Sequence, residues 1–138
     1  MVNNKLHLII EQLRTQIMLT ATSGILAVTG SRASNMFADG ITTGDTTSFS
    51  IVGTGTWKKV VGGGPFGYAA GISSSDKLFL WGDNRYFQTG DGTNKVSLTP
   101  KQFGTSNWLD VAVENGVYGG GQVLAIRSDG KLFGWGDN

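Results

Sequence analysis

The sequence contains no cysteine, and His7 is the single histidine among its 138 residues. Without cysteine, the chain can form neither disulfide bonds nor thiolate metal sites. A lone histidine in an N-terminal stretch is typically a surface residue, and here no second histidine or cysteine can join it in a nucleophile–base pair. We therefore expect a protein that is not an enzyme and that has no catalytic residues, no cofactor and no metal site.

Charged residues are also scarce. They make up 15% of the sequence, the formal net charge is +1, and no basic run is present. The chain therefore lacks the positive surface that binding to nucleic acid requires, and an anionic membrane is unsupported as a partner for the same reason. No apolar run approaches the roughly 18 residues that a membrane-spanning helix needs.

The start of the chain does not have the pattern of a secretory signal. Glu11 and Arg14 interrupt its apolar part, which a signal peptide would keep uncharged. We therefore expect synthesis in the cytoplasm. Release by cell lysis, as for a virion protein, would need no signal.

Glycine is abundant, with 22 copies, and aromatic residues are placed singly through the second half of the chain. This composition is typical of many short strands joined by tight turns rather than of a helical protein. The sequence therefore predicts a mainly β fold.

One eight-residue stretch occurs twice, at residues 77–84 and again 54 residues later at residues 131–138. Both copies contain the pattern Lys-Leu-Phe-x-Trp-Gly-Asp-Asn, and they differ only where Leu80 is replaced by Gly134. An internal repeat of this period predicts a solenoid, a propeller or an array. The second copy ends on the last residue of the sequence, so we expect an incomplete propeller.

The repeat extends over a whole unit of roughly 50 residues. The aligned pairs are Trp57 with Trp108, Val60 with Val111, and residues 68–73 with residues 122–127. Each unit is predicted to form a four-stranded antiparallel sheet, with a glycine-rich turn, a tight hairpin and an outer strand that in the first unit passes through Pro100. We assign repeat 1 to residues 55–104 and the truncated repeat 2 to residues 105–138, which together make about one and a half to two propeller-type blades.

The first 20 residues differ in character from the repeats. A stripe of apolar residues at helical spacing predicts a short helix over residues 4–19. The stripe consists of Leu6, Ile10, Leu13 and Ile17. Such a short helix needs a partner surface, which is either its own domain or another chain on which it docks or oligomerises. The β-rich residues 8–10 leave a strand as a further alternative.

Residues 21–54 are rich in Thr, Ser, Gly and Ala, and they complete an N-terminal anchoring or adaptor segment over residues 1–54. Residues 25–28 and 48–52 are predicted to form short strands. The glycines that bound these strands are Gly24, Gly30, Gly44 and Gly53. Because the stretch has little apolar mass of its own, we expect it to lie against neighbouring structure.

The repeat resembles the regulator-of-chromosome-condensation family of β-propeller repeats. The resemblance covers residues 55–138 and is carried by the aligned tryptophans, by the Trp-Gly-Asp-Asn stretch and by the turn at residues 88–92. The sequence departs from the family pattern at Phe87, where the family has glycine, and at Thr89, where it has leucine. The resemblance implies a propeller of four-stranded blades.

We interpret the repeated motif as structural rather than catalytic. A tryptophan is large enough to wedge between adjacent sheets, and the following glycine lets the chain turn sharply. Asp and Asn can then bond to their own backbone in the turn. The structural repeat residues are Trp57, Trp81, Gly82, Asp83, Asn84, Trp108, Trp135, Gly136, Asp137 and Asn138.

The remaining chemical motifs are incomplete. The carboxylates that could form a glycosidase-like pair fall in turns that the repeat already explains, so such a pair is not expected. They are Asp76, Asp83, Asp91, Asp129 and Asp137. Residues 91–94 resemble part of a calcium loop, but they lack its alternating acidic ligands and terminal glutamate. The glycine triplet at residues 62–64 lacks the lysine and the helix of a phosphate-binding loop, and so does the triplet at residues 119–121.

We expect a structural or assembly protein of a virion. In bacteriophage tail, neck or fibre components that look like this, an adaptor segment docks into a larger body and the repeats are displayed outward. The expected partners are other protein chains, either copies of the same chain, other virion proteins or both, and a host-surface receptor is a further candidate. The alternative is a cytoplasmic regulatory propeller module that binds proteins, either as a scaffold or as a small-GTPase exchange factor, the activity of the best-known members of the family.

Overall fold

The structure is a computed structural model, and it describes residues 24–30, 38–41, 44, 46–63, 67–114 and 120–137. These residues form eight strands and no helix, so the predicted mainly β fold is confirmed. The strands are β1 (Gly24–Gly30), β2 (Thr46–Gly63), β3 (Tyr68–Ser73), β4 (Leu78–Gly82), β5 (Ser97–Gln102), β6 (Trp108–Val113), β7 (Gln122–Arg127) and β8 (Leu132–Gly136). None of the described residues belongs to a helix that is long and apolar enough to cross a membrane. The helix predicted over residues 4–19 lies outside the described residues.

The strands form two antiparallel sheets, in the order β1-β2-β3-β4-β5 and β6-β7-β8. Residues 57–63 of β2, with β3, β4 and β5, make the four-stranded unit predicted for repeat 1, here called the first blade. Strands β6 to β8 make three strands of repeat 2, here called the second blade. The described residues therefore contain one complete blade and most of another, as the repeat predicted.

The outer strand of the first blade is β5, and it contains Pro100. Proline has no backbone N–H to donate, so within a sheet it is confined to edges, first positions and bulges. Strand β5 is the last strand of its sheet, where it pairs with β4, and the carbonyl oxygen of Leu98 accepts a further backbone hydrogen bond from the N–H of Gly40 at 3.1 Å. The position of the proline is therefore compatible with the antiparallel ladder.

Strand β2 is longer than the sequence indicated. The predicted strand over residues 48–52 was expected to end at Gly53, but β2 continues from Thr46 to Gly63. Strand β1 supplies the reason, because it pairs with β2 on both sides of this glycine: Ala27 lies opposite Ile51, and Ile25 lies opposite Thr56. A register shift between these two pairs absorbs the irregularity. The predicted boundary at residues 54 and 55 thus falls inside a continuous strand.

Strand β1 and residues 46–56 of β2 form a two-stranded ribbon that covers one face of the first blade. Leu26, Val28 and Val52 of the ribbon are buried in one hydrophobic cluster with residues of the first blade. The blade residues of this cluster are Trp57, Val60, Ala69 and Trp81. The stretch before the repeats therefore packs against the first blade of its own chain.

The second blade covers the opposite face of the first. A second hydrophobic cluster lies between the two blades. Because side chains alternate between the faces along β4, Leu78 and Leu80 lie in this cluster, whereas Trp81 lies in the cluster with the ribbon. The second blade contributes Trp108, Val111, Val123 and Ala125. The described residues thus form three layers, with the first blade buried on both faces between the ribbon and the second blade.

Candidate functional site

The four repeated tryptophans lie in equivalent places, one layer apart. Trp57 contacts Phe79 edge to face with ring centroids 5.3 Å apart, and Trp108 makes the same contact with Phe133 at 5.6 Å. Trp81 is fully buried in the cluster between the ribbon and the first blade. Trp57 and Trp81 therefore fill the layer between the ribbon and the first blade. Trp108 and Trp135 fill the layer between the first and second blades.

Trp135 joins the two blades by both stacking and hydrogen bonding. Its ring stacks on Phe103 of the first unit with centroids 4.6 Å apart and planes 3° apart. Its indole Nε1 donates a hydrogen bond to the carbonyl oxygen of Gln88 at 2.8 Å. The motif copy of the second blade thus holds the trailing segment of the first unit.

The glycine that follows each motif tryptophan sits in a close backbone contact. Gly82 has φ +96° and Gly136 has φ +116°. A Cβ atom on Gly82 would lie 2.3 Å from the carbonyl oxygen of Gly67, and one on Gly136 would lie 2.2 Å from that of Gly121. Both the positive φ and the lack of space require glycine at these two positions.

The polar residues after Gly82 are buried and hold the following loop. Asn84 is fully buried, and its side-chain oxygen accepts a hydrogen bond from the N–H of Thr89 at 2.9 Å. The Asn84 amide nitrogen donates to the carbonyl oxygen of Thr93 at 2.8 Å and to the carboxylate of Asp91 at 3.2 Å. Asp83 forms an ion pair with Arg85 at 2.9 Å. These contacts give the Asp-Asn pair a role in folding the loop.

The carboxylates of Asp91, Asp129 and Asp110 are each held by a neighbouring cation. A hydrogen bond from Lys101, aided by Thr93, keeps the pKa of Asp91 well below its usual range. Arg127 has the same effect on the pKa of Asp129, and Lys59 lowers that of Asp110. These groups remain anionic near neutral pH, which does not suit a general acid. Within the described ranges, no three His, Cys, Asp or Glu side chains are grouped so that they could hold a metal ion.

Tyr68 links the two blades, although nothing in the repeat pattern singles it out. Its hydroxyl contacts the carbonyl oxygen of Glu114, and lies 3.0 Å from that of Gln122. Burial is the main cause that raises the pKa of Tyr68 well above its usual range, with a smaller contribution from the charge of Glu114. The repeat alignment conceals this residue because the equivalent position of the second unit is glutamine.

The outward side of the second blade exposes apolar side chains. Leu124 is 48% exposed, Ile126 is 37% exposed and Leu132 is 65% exposed. Their equivalents in the first blade, Ala70, Ile72 and Leu78, are buried against the second blade. We call the side of the second blade that carries Gln122, Leu124, Ile126, Leu132 and Gly134 the open face. It is the candidate interaction surface of the described residues.

Several predicted residues cannot be placed in this geometry. The docking stripe of Leu6, Ile10, Leu13 and Ile17 lies outside the described residues, as do His7 and Asn138. Their roles therefore stay predictions.

Part of the chain is similar to curated proteins, and its fold is similar to that of solved structures. No family model matches the sequence. A segment of 71 residues, or 51% of the chain, is 30% identical to the probable E3 ubiquitin-protein ligase HERC4 of Homo sapiens and spans 7% of that protein. HERC4 contains repeats of the regulator-of-chromosome-condensation type, and the match fits a segment of this type only loosely.

The structure also resembles a solved human protein. The crystal structure of human WBSCR16 superposes with a TM-score of 0.64 at 17% identity, over 88% of this chain and 31% of that one. At this identity the similarity concerns the fold alone. The chain spans less than a third of either relative.

The geometry of the motif turn predicts that Gly82→Ala is far more destabilising than Gly92→Ala. Both glycines have positive φ, but a Cβ on Gly92 meets nothing within 4 Å, whereas one on Gly82 meets backbone. Gly92→Ala should lower the free energy of unfolding by about 1 kcal/mol through backbone strain alone. Gly82→Ala should lower it by more than about 3 kcal/mol, since backbone atoms must move. Urea unfolding measures both, and equal losses would contradict the close contact.

The buried hydroxyl of Tyr68 predicts a loss of stability at high pH. The unfolded chain ionises this tyrosine near its ordinary pKa of about 10, whereas the folded chain keeps it protonated. The folded state then binds the extra proton, so the free energy of unfolding falls by about 1.4 kcal/mol for each pH unit above about 10. Tyr68→Phe should remove this part of the pH dependence.

The matched control is Tyr86→Phe, because Tyr86 is 37% exposed. Urea unfolding of the three proteins between neutral pH and pH 11 makes the comparison. A Tyr68→Phe variant with the same slope as the unmodified chain would show that this hydroxyl does not titrate differently on folding.

Proposed function

We propose that this chain is a non-enzymatic structural or assembly protein, in which the propeller blades form a rigid platform for contacts with other protein chains. The observation that supports this most directly is the distribution of its apolar and motif residues. The repeated tryptophans are used in packing between layers, while Leu124, Ile126 and Leu132 remain exposed on the open face. Exposed apolar groups on one continuous face are typical of protein interaction sites.

The charges of the described residues favour protein partners over nucleic acid. Most of the cations near the blades are engaged with neighbours, including Lys59 with Asp110 and Lys101 with Asp91. Paired cations do not supply the positive surface that phosphate backbones require. The platform is therefore proposed to bind other protein chains, without nucleic acid or a cofactor.

In its most specific form, the proposal is a virion component such as a phage tail, neck or fibre protein. The N-terminal segment would dock into a larger assembly through its apolar stripe, and the blades would be displayed toward the environment or a host-surface receptor. This form rests on the contrast between an unrepeated apolar start and a repeated, low-charge second half.

A regulatory propeller module is the second candidate, and the similarity of a 71-residue segment to HERC4 favours it. Such a module would bind partner proteins as a scaffold or promote nucleotide exchange on a small GTPase. The two candidates differ in what they require of residues 1–20: a docking stripe is central to the first and dispensable in the second.

The assembly proposal predicts that the apolar stripe drives association of the full chain. Ile10→Asp should weaken self-association at least tenfold, because it places a charge in the stripe, whereas Gln12→Asp lies off the stripe and should leave association unchanged. Sedimentation equilibrium of the full chain and of both variants measures the change.

A monomeric full chain, or equal effects of the two substitutions, would contradict the docking role. In that case the regulatory candidate is preferred. Its own outcome would be accelerated release of fluorescent GDP from a small GTPase on addition of the chain.

A further inference from the structure

The ribbon pairs with the same register as the last two strands of the first blade. Three residue pairs in the ribbon correspond to three pairs between β4 and β5, with an offset of 52 positions along β1 and 51 along β2. In both places a register shift falls between the second pair and the third. An irregular ladder that recurs at one offset indicates that the ribbon is built like the outer half of a blade. The corresponding pairs are Ala27–Ile51 with Phe79–Gln102, Val28–Ser50 with Leu80–Lys101, and Gly30–Thr46 with Gly82–Ser97.

The loop between these two strands also recurs at the offset of 52 positions. Asp39-Gly40 in the ribbon loop corresponds to Asp91-Gly92 in the loop of the first blade. Each aspartate carboxylate accepts a hydrogen bond from the N–H two residues later, at 3.0 Å in the ribbon loop and 2.9 Å in the blade loop. The two glycines have φ +79° and +77°, and the residues before the aspartates have φ +57° and +64°. The two loops therefore share an unusual backbone conformation.

Packing and sequence show the same correspondence. Two aliphatic residues of β1 pack on the first blade as their counterparts in β4 pack on the second. A Gly-Thr-x-x-Trp pattern then leads into the next unit in both places. Residues 24–56 therefore have the backbone of the trailing half of a repeat, although threonine and serine flank Gly30 where the motif has tryptophan and aspartate. The matched residues are Leu26 and Val28 with Leu78 and Leu80, and Gly53-Thr54-x-x-Trp57 with Gly104-Thr105-x-x-Trp108.

A half blade leaves one strand edge without its neighbour. In the first blade, β4 pairs with β5 on one side and with β3 on the other, where Ala70 lies opposite Leu80. The corresponding strand β1 is the last strand of its sheet, so within the described residues it pairs only with β2. Backbone N–H and C=O groups at such an edge readily pair with a further strand. The edge of β1 is therefore a site for an added strand.

The residues that precede β1 fit this edge by length and by turn chemistry. The offset of 52 positions aligns residues 16–21, Gln-Ile-Met-Leu-Thr-Ala, with β3. The hairpin between β3 and β4 has a positive φ at Asp76, and the hairpin between β7 and β8 has one at Gly130. Gly24 occupies the same position and also has a positive φ, after Thr-Ser in place of Ser-Ser or Ser-Asp. The connection to β1 therefore has the length and the turn residue of the other two hairpins.

We propose that residues 16–21 form a strand that pairs antiparallel with the free edge of β1, so that a third, diverged repeat precedes the first blade. The register of β3 on β4 places Leu19 opposite Ala27. Ala27 in turn lies opposite Ile51, which is 65% exposed on the outward side of the ribbon. The added strand thus completes a row of apolar residues across three strands.

The inference goes beyond the proposed function and changes one part of the N-terminal prediction. Ile17 becomes part of the added strand, so a helix in this region ends before it. Leu6, Ile10 and Leu13 remain available for association with other chains.

Engineered cysteine pairs test the register, because the chain contains no cysteine of its own. Leu19→Cys with Ala27→Cys should form a disulfide within one chain under mild oxidation, since opposite residues of an antiparallel ladder lie within disulfide range. Met18→Cys with Ala27→Cys is the matched control, because residue 18 is one position away but its side chain lies on the other face of the strand. The first pair should oxidise at least tenfold faster than the control, as measured by mass spectrometry after quenching.

Hydrogen exchange tests the pairing without a cross-link. Across the hairpin of the first blade, the N–H of Ser73 donates to the carbonyl oxygen of Lys77 at 2.9 Å. Alternation from this bond directs the equivalent N–H of Ala27 toward the added strand. Leu19→Pro removes a donor from that strand and should speed exchange of the Ala27 amide at least tenfold. Gln12→Pro lies outside the strand and should leave this rate unchanged.

Equal oxidation of the two cysteine pairs would overturn the inference, and so would a disulfide that forms mainly between two chains. An Ala27 amide that exchanges as an open backbone group, or that Leu19→Pro does not affect, would also contradict it. The association that Ile10→Asp is expected to weaken is measured separately, so either proposal can fail while the other holds.

Discussion

The first blade is apolar on both faces and is covered on both, and the rest of the described structure depends on that packing. Neighbouring residues of β4 point to opposite sides: Leu80 lies in the cluster shared with the second blade, and Trp81 lies in the cluster shared with the ribbon. A sheet with apolar side chains on both faces cannot be stable alone. The ribbon before the repeats and the second blade after them supply the two covers.

The same packing explains why the motif combines a tryptophan with a glycine. The tryptophan fills the wide layer between two sheets, and truncating such a side chain typically costs about 3–5 kcal/mol. Immediately afterwards, the backbone at Gly82 passes so close to Gly67 that no Cβ fits. The N–H of Asp83 then donates to the carbonyl oxygen of Gly67 at 2.9 Å, and Asp137 repeats this bond with Gly121 at 3.0 Å. The large tryptophan side chain thus sets the distance between the two sheets, and the lack of a side chain at the glycine sets the direction in which the chain leaves the strand.

The parts of the fold that repeat were predictable from the sequence, because both copies of the repeat contain the same pattern of residues. The strands of both units and the outer strand through Pro100 follow from alignment and turn chemistry. The extent of β2 was not predictable, since the glycine at position 53 is a local signal and the pairing with β1 that overrides it is not local.

The contacts between layers could not be predicted from the sequence either. Tyr68 has no aromatic counterpart in the second unit, so the repeat pattern does not single it out. The ion pair of Lys59 with Asp110 joins aligned positions of different blades, and a sequence does not show which charges on adjacent sheets will meet. The docking stripe near the N-terminus lies outside the described residues, and its role stays a prediction.

The two motif copies differ at one position, Leu80 in the first and Gly134 in the second. The location of this position in the layers explains the difference. Phe79 and Trp81 match Phe133 and Trp135 because both pairs face the preceding layer, and Gly82 matches Gly136 because both make the same turn. Leu80 instead lies in the cluster shared with the second blade, and Gly134 holds the equivalent position of the second blade, opposite Leu124. Identity within the motif therefore reflects a task that every blade shares, whereas divergence reflects what each blade meets next. The two blades therefore differ in residues on the outward side of each sheet, whereas the Trp-Gly-Asp-Asn stretch is common to both.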